Sequence, residues 1–407
     1  MMKPKYAILV GDGMADFPIR ELGGKTPLEY ARTPNMDTVA RNGTIGLVAT
    51  IPAGLSPGSD VANLSLMGYD PVRYYSGRAP IEAASMGVQL AASDTAFRCN
   101  LVTIAEGRMA DYSAGHIETE NAHEIIKLLK SQLERDTVSF YPGVSYRHLV
   151  VIRNFPDGCT CTPPHDISGK EVSAHLPKGP GSGRLKTIME KAKPVLNNAP
   201  VNKERKIKGI PQATDIWLWG HGRAISLPTL SERYGLSGSV ISAVDLVRGL
   251  GVLAGLKVRL VKGATGYLGT NYAGKVAATR SALTEEDFVF LHVEAPDETS
   301  HEGSLQKKII AIEEFDENVV GEMLKFQKEL PSLRILVAPD HATPVSMKTH
   351  HTAPVPYAAC GPGIRSENAQ GALSYCENTA RGKPVYPGTE LFDRFIKGNL
   401  QTVPITA

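Results

Sequence analysis

Three short apolar runs in this sequence each lead into an acidic residue. Tyr6 to Val10 (YAILV) precedes Asp12 in VGDGMAD. Phe288 to Val293 (FVFLHV) precedes Asp297 and His301 in VEAPDETSH, and Arg334 to Ala338 (RILVA) precedes Asp340 and His341 in APDHATPVS. His350 and His351 follow shortly afterwards in KTHHTAPVP. Carboxylates gathered in a protein interior are costly unless a cation neutralises them. A mixed Asp/His donor set suits manganese or zinc better than calcium. The set is too large for one tetrahedral ion, so two adjacent metals are the economical reading. Asp297 and His301, four apart, share a face if their segment is helical. An Asp after one strand is otherwise an ordinary helix N-cap. It is the recurrence at three strands that favours a metal centre.

A nucleophile is offered by GLSPGSDVANLSLMGYDP, residues 54 to 71. Ser59 precedes an apolar-periodic run, as an N-cap serine does, and Asp60 suits the helix dipole. A serine hydroxyl becomes a nucleophile only when its proton is removed or its oxygen is coordinated. A helix start also presents N–H groups to an incoming phosphate, so capping and nucleophilic roles are compatible. Ser56 and Ser65 read as ordinary loop and helix residues.

These residues need elements that bring them together. The three apolar runs read as strands buried on both faces, alternating with helical stretches such as Ser242 to Leu253 and Lys307 to Leu324. That alternation predicts an α/β fold with a doubly wound, mainly parallel sheet, whose strand carboxyl ends share one edge. Residues 76–235 have a different texture. They hold the weaker strand candidates FRCNLVTI, HLVVIRN and DIWLWG, and a helical run from Glu118 to Leu133. They also hold HLPKGPGSGRLK (175 to 186) and a polar segment over 193–211, both of which read as loops. The expected organisation is a core over 1–75 and 236–407, split by a smaller inserted α+β domain over 76–235.

Composition sets the outer bounds. At 407 residues, two domains are the natural expectation. A net charge of +2 gives no general attraction to nucleic acid or to an anionic membrane. Cys99, Cys159, Cys161, Cys360 and Cys376 are scattered and odd in number, so they read as reduced thiols of a cytoplasmic protein. MMKPKYAILVGDGMAD has too short an apolar run for a signal peptide, and no stretch is long enough to span a membrane.

The chain resembles the archaeal-type cofactor-independent phosphoglycerate mutases of the alkaline phosphatase superfamily. The resemblance runs through VGDGMAD, SPGSDVANLSLMGYDP, YSGRAPIEAASMGV, AFRCNLVT, PPHDISGK, WLWGHGR, GATGYLGTNYAGK, HVEAPDETSH, APDHATPVS and HHTAPVPYAACGPG. It implies a phosphatase-like core split by a phosphotransferase domain, and two divalent metals: manganese first, with magnesium or zinc as alternatives. One metal would be held by Asp297, His301 and His350, with His351 as the fallback. The other would be held by Asp12, Ser59, Asp340 and His341. The implied reaction interconverts 3-phosphoglycerate and 2-phosphoglycerate through a phosphoserine on Ser59, without added bisphosphoglycerate and with the insertion as a lid against water. Arg78, Arg98, His165, Asp166, Arg223 and Lys275 are the implied substrate contacts, with Arg147 and Arg153 as weaker candidates. His116 and His221 are each a substrate contact or a structural histidine. The competing readings are a homoserine-kinase-like phosphotransferase and a metal-dependent phosphohydrolase. No P-loop or kinase glycine-rich loop supports a nucleotide. Oligomeric state is not legible in the sequence.

Overall fold

Apolar runs rich in Val, Ile, Leu and Phe, bounded by turn residues, build the strands here. The computed structural model describes residues 3–366 and 373–400. Its larger sheet has eight strands, in the order Val385–Pro387, Gly43–Ala49, Val355–Cys360, Leu333–Ala338, Lys5–Gly11, Phe288–Val293, Gly238–Ile241 and Lys257–Val258. Val355–Cys360 runs antiparallel to both its neighbours, and the remaining pairings are parallel. Every residue of Phe288–Val293 and Leu333–Ala338 is buried, as a parallel sheet covered on both faces requires. The expected mainly parallel α/β fold is present.

Register decides what this sheet positions. Val10 pairs with His292 on one side and with Ala338 on the other. Asp12, the helix Ala295–His301 and Asp340 therefore leave three adjacent strands at one edge. The helix expected over 242–253 spans Asp245–Leu253. The one expected over 307–324 spans Leu305–Phe315, passes through a wider turn at Asp316–Gly321, and continues over Glu322–Glu329.

The chain forms two compact units, Met1–Tyr75 with Ser226–Ala407, and Ser76–Ile225. Residues 226–235, which the sequence assigns to the insertion, lie in the first unit. Hydrogen bonds from Tyr69 to the Pro228 carbonyl (2.8 Å) and from Arg233 to the Gly68 carbonyl (2.6 Å) hold them there. The second unit has a five-stranded antiparallel sheet built around Asp94–Ala105, with its own core of Phe97, Leu101, Phe140, Ile152, Trp217 and their neighbours. Of the segments read as loops, 193–211 is largely helical and 175–186 enters a helix at Ser182, the helices being Ser182–Asn198 and Pro200–Ile207. Leu185, Met189, Ala192 and Leu196 bury one helical face, and Pro194 points outward on the other. Among the described residues, no helix is long and apolar enough to cross a membrane.

Candidate metal and phosphoryl-transfer site

The first unit brings the strand-end side chains together. In the helix Ala295–His301, Asp297 and His301 are one turn apart, with Oδ2 and Nε2 separated by 3.1 Å. His350 adds its Nε2 at 3.0 Å from that of His301 and 3.6 Å from Asp297 Oδ2. His301 Nδ1 faces the Lys348 carbonyl at 2.9 Å and donates to it, which leaves Nε2 as the atom that meets Asp297 and His350 and that would bind a cation once it gives up its proton. Two ligands of one tetrahedral ion with bonds of about 2.0–2.1 Å stand roughly 3.3 Å apart, so these spacings suit a single cation. His351 lies elsewhere: its ring packs edge-on against Phe17 and its Nδ1 accepts the Ala353 N–H.

The neighbouring cluster centres on Asp12. Its carboxylate is within ligand distance of His292 and Asp340 in one grouping, and of Asp297 and His341 in another. The groups of side chains close enough to share an ion overlap, with Asp12 and Asp297 each belonging to two of them. Burial pushes the Asp12 carboxyl well up, and the charges of Asp340 and Asp297 push in the same direction. Burial also opposes the charged form of Asp297, but hydrogen bonds from His301 and His350 hold that carboxyl well below its ordinary range. His301 is pulled down by burial, yet the Asp297 carboxylate lifts it to about 9. Burial lowers His292 to about 4 and also lowers His341.

Cations fit this chemistry. Asp12 Oδ1 and His292 Nε2 are buried and make no hydrogen bond. His292 Nε2 lies 3.0 Å from Asp12 Oδ2, but not in hydrogen-bonding orientation. Buried polar atoms left in that state are costly unless a further partner is bound. Carboxylate and imidazole donors are those that Mn2+ and Zn2+ take.

Ser59 stands beside this cluster, half-buried, as the first residue of the helix Ser59–Leu66. Gly58 is the N-cap and no side chain caps the helix, so the capping reading of Ser59 is corrected. Its Oγ lies 3.1 Å from His341 Nε2 instead. The Thr343 hydroxyl donates to Asp297 Oδ1 (2.5 Å) and sits 3.1 Å from His341 Nδ1. Its one proton is therefore used on Asp297, and it accepts from His341 Nδ1–H. His341 Nε2 is then a lone pair, able to accept the serine proton or to bind a cation.

Several of these partners have no clear signature in the sequence. His292 interrupts an apolar strand and reads as core, although a histidine next to a strand end is the one clue to it. Ser242 supports it from the adjacent strand end, at 3.3 Å from Nδ1. Asn63, one turn into the Ser59 helix, donates to the Ser59 carbonyl (2.8 Å) and to Asp340 Oδ2 (2.7 Å). A buried Asn four residues after Ser59 on the same helical face is the available signal.

Most of the expected substrate contacts lie in the second unit. Arg98 is buried, bonded to Glu82 at 3.0 Å and stacked 4.3 Å over the Trp219 ring. Burial lowers it to about 10 against the opposing pull of Glu82. Arg78 approaches the same Glu82 at 3.7 Å. His165 packs edge-on against Trp219 and Tyr112, with its Nε2 3.6 Å from Asp166. Arg147 lies over Tyr146, whose other ring neighbours are Tyr112 and His116. Arg153 pairs with Asp94 at 3.8 Å. Arg223 is bonded to Asp157 and to the Phe155 carbonyl. His221 stacks on Phe97, and burial lowers its pKa. Lys275 belongs to the first unit. It is fully buried, lowered to about 8 by burial, and donates to the His292 carbonyl at 3.0 Å.

Comparison with known proteins gives the family. The family model described as 2,3-bisphosphoglycerate-independent phosphoglycerate mutase matches residues 40–202. A probable enzyme of that name from Geobacter sulfurreducens is 53% identical over 96% of this chain and 99% of its own. Another from Methanothrix thermoacetophila is 51% identical over 97% of this chain and 100% of its own. A solved protein from Pyrococcus horikoshii superposes with a TM-score of 0.81 at 28% identity, covering 100% of both chains. The cofactor-independent phosphoglycerate mutase of Thermoplasma acidophilum shares the fold, with a TM-score of 0.65 at 24% identity over 98% of this chain and 100% of its own.

Proposed function

The chain belongs to the family of 2,3-bisphosphoglycerate-independent phosphoglycerate mutases, and from that premise we propose how it interconverts 3-phosphoglycerate and 2-phosphoglycerate. Ser59 Oγ attacks the phosphorus of 3-phosphoglycerate, the bond from phosphorus to the C3 oxygen breaks, and the proton lost by the Ser59 hydroxyl ends on that oxygen. The glycerate turns without leaving, its 2-hydroxyl oxygen attacks the phosphorus, the bond from phosphorus to Ser59 Oγ breaks, and the proton of the 2-hydroxyl returns to Ser59. Water is kept out meanwhile, since a phosphoserine exposed to it would be hydrolysed.

The observation that carries this reading is the position of Ser59 Oγ, 3.1 Å from His341 Nε2 at the edge of the buried Asp/His cluster. We assign one divalent cation to Asp297, His301 and His350. A second is assigned to Asp12, Asp340 and His341, with His292 added as a ligand and Ser59 alongside. Mn2+ is the first choice for both. Such cations neutralise the gathered carboxylates and lower the proton affinity of a bound oxygen. Asn63 holds Asp340 and the Ser59 backbone in register. Arg78, Arg98 and His165, with Arg147 as a further member, are assigned to the substrate's carboxylate and phosphate, because guanidinium groups pair with both. Arg223 and Asp166 are retained as weaker members. Lys275 acts on the site through His292.

The test is a coupled assay on the Mn2+-loaded protein without bisphosphoglycerate, together with acid-quenched labelling from 32P-phosphoglycerate. The expected outcome is 2-phosphoglycerate formation and an acid-stable phosphoserine, both lost in Ser59→Ala. That variant should keep the native melting temperature within a degree or two, because Ser59 caps nothing. Full activity in Ser59→Ala sinks the relay, and release of free phosphate as the main product favours a hydrolase.

A further inference from the structure

Lys308 lies on the helix Leu305–Phe315, outside every motif with an evident chemical role, and is fully buried. Its ammonium donates to Asp16 Oδ2 (2.9 Å), to the Ala15 carbonyl (3.2 Å) and to the Thr343 carbonyl (2.8 Å). Asp16 Oδ2 also accepts the Val345 N–H at 3.0 Å, and Oδ1 accepts the Phe17 N–H at 2.7 Å. The Asp16 N–H is anchored in turn on Glu377, which the Thr26 hydroxyl holds at 2.6 Å.

The backbone groups tied together here belong to two loops. Ala15 and Asp16 continue the loop that carries Asp12. Thr343 and Val345 continue the loop that carries Asp340 and His341. Thr343 itself bridges His341 and Asp297 through its hydroxyl. The bonds from Lys308 to Ala15, Asp16 and Thr343, and from the Val345 N–H to Asp16, therefore gauge the distance between the two segments that hold the cluster. Stability alone gives weak reason for such a pair, because a buried ion pair can often be replaced by uncharged residues at no cost.

We propose that the Lys308–Asp16 pair is a positioning device, setting the spacing of the Asp12 loop against the Asp340–Thr343 loop and thereby the affinity of the site for divalent cations. The inference rests on the reading of the Asp/His cluster as a metal centre. It is tested on the full chain with the double variant Lys308→Met/Asp16→Asn, which removes both charges together. Mn2+ binding is measured by titration calorimetry, and the metal-free melting temperature by circular dichroism. The expected result is a metal-free melting temperature within a few degrees of wild type, with Mn2+ affinity reduced about 10- to 100-fold, as for other supporting groups around metal sites. Mn2+ affinity within twofold of wild type overturns the proposal, whether or not metal-free stability falls, and marks the pair as merely structural. Should the double variant fail to fold, Asp16→Asn alone, which keeps shape and one acceptor oxygen, is read by the same criterion. A wild-type chain that takes up no Mn2+ overturns the metal reading and this inference together.

Discussion

Gly13 has no side chain, yet it constrains the candidate site as tightly as any ligand. Its φ is +62°, and its N–H donates to Asp340 Oδ1 at 3.1 Å. A Cβ there would lie 2.6 Å from Asp297 Oδ1 and 2.7 Å from Thr343 Oγ1. Gly13→Ala should therefore cost about 1–2 kcal/mol from the left-handed backbone alone. It should also displace Asp297, lowering Mn2+ affinity at least tenfold in a calorimetric titration. Native affinity in this variant would show that Asp297 is free to move without consequence. At this scale the sequence discloses the residues whose type and context agree: Asp12, Asp297 and Asp340 each follow an apolar strand. His301 is legible from its spacing to Asp297. His292, Asn63, Thr343 and Lys308 are single polar residues, each with at least one partner far away in the chain. A place beside a strand end for His292 and the spacing to Ser59 for Asn63 are the only local signs of a role.

Among the elements, the strand Arg147–Arg153 carries a testable electrostatic cost. His148 is buried in it, and its Nδ1 accepts the Gly143 N–H at 2.9 Å. Burial first, then the nearby His123, push its pKa down to about 3. The unfolded chain takes up this proton near pH 6.5, whereas the folded chain resists it until about pH 3. The neutral histidine's contribution is thus fully present above pH 6.5 and is lost progressively as the pH falls towards 3. The slope from this one group approaches about 1.4 kcal/mol per pH unit. His148→Gln keeps an acceptor for Gly143 and removes the titration. Its stability between pH 6 and 4 should therefore fall less steeply than that of the wild type. Trp217 and Trp219 are the only tryptophans and both lie in this unit, so their fluorescence isolates the transition. Equal slopes in the two proteins would exclude the histidine as the cause. Elements were legible where periodicity was strong, as in the three core strands. They are masked where helix-breaking residues interrupt it: glycines and prolines make 175–186 read as loop, and Pro194 and Pro200 do the same for 193–211, although Leu185, Met189, Ala192 and Leu196 keep a helical period.

For the whole molecule, the division of labour follows the division of the chain. The candidate ligands and Ser59 belong to the first unit, and Arg78, Arg98, Arg147 and His165 to the second. The second unit is one continuous segment with its own sheet and core, and its two ends meet: the Ser76 hydroxyl donates to the Arg223 carbonyl at 2.7 Å. A roughly 150-residue segment buries enough surface to fold alone. Residues 76–225 expressed by themselves should give one cooperative tryptophan transition, with a midpoint within a few degrees of that seen in the full chain. A fragment with fluctuating tertiary structure would show that its core depends on the rest of the protein. The complementary chain, with 76–225 replaced by a short Gly/Ser linker, retains every proposed ligand and the Lys308–Asp16 pair. It should bind Mn2+ with native affinity while failing to interconvert the phosphoglycerates, because the cations assigned to substrate are gone. Mutase activity in that shortened chain would remove Arg78, Arg98, Arg147 and His165 from the reaction and leave the first unit as the whole catalyst.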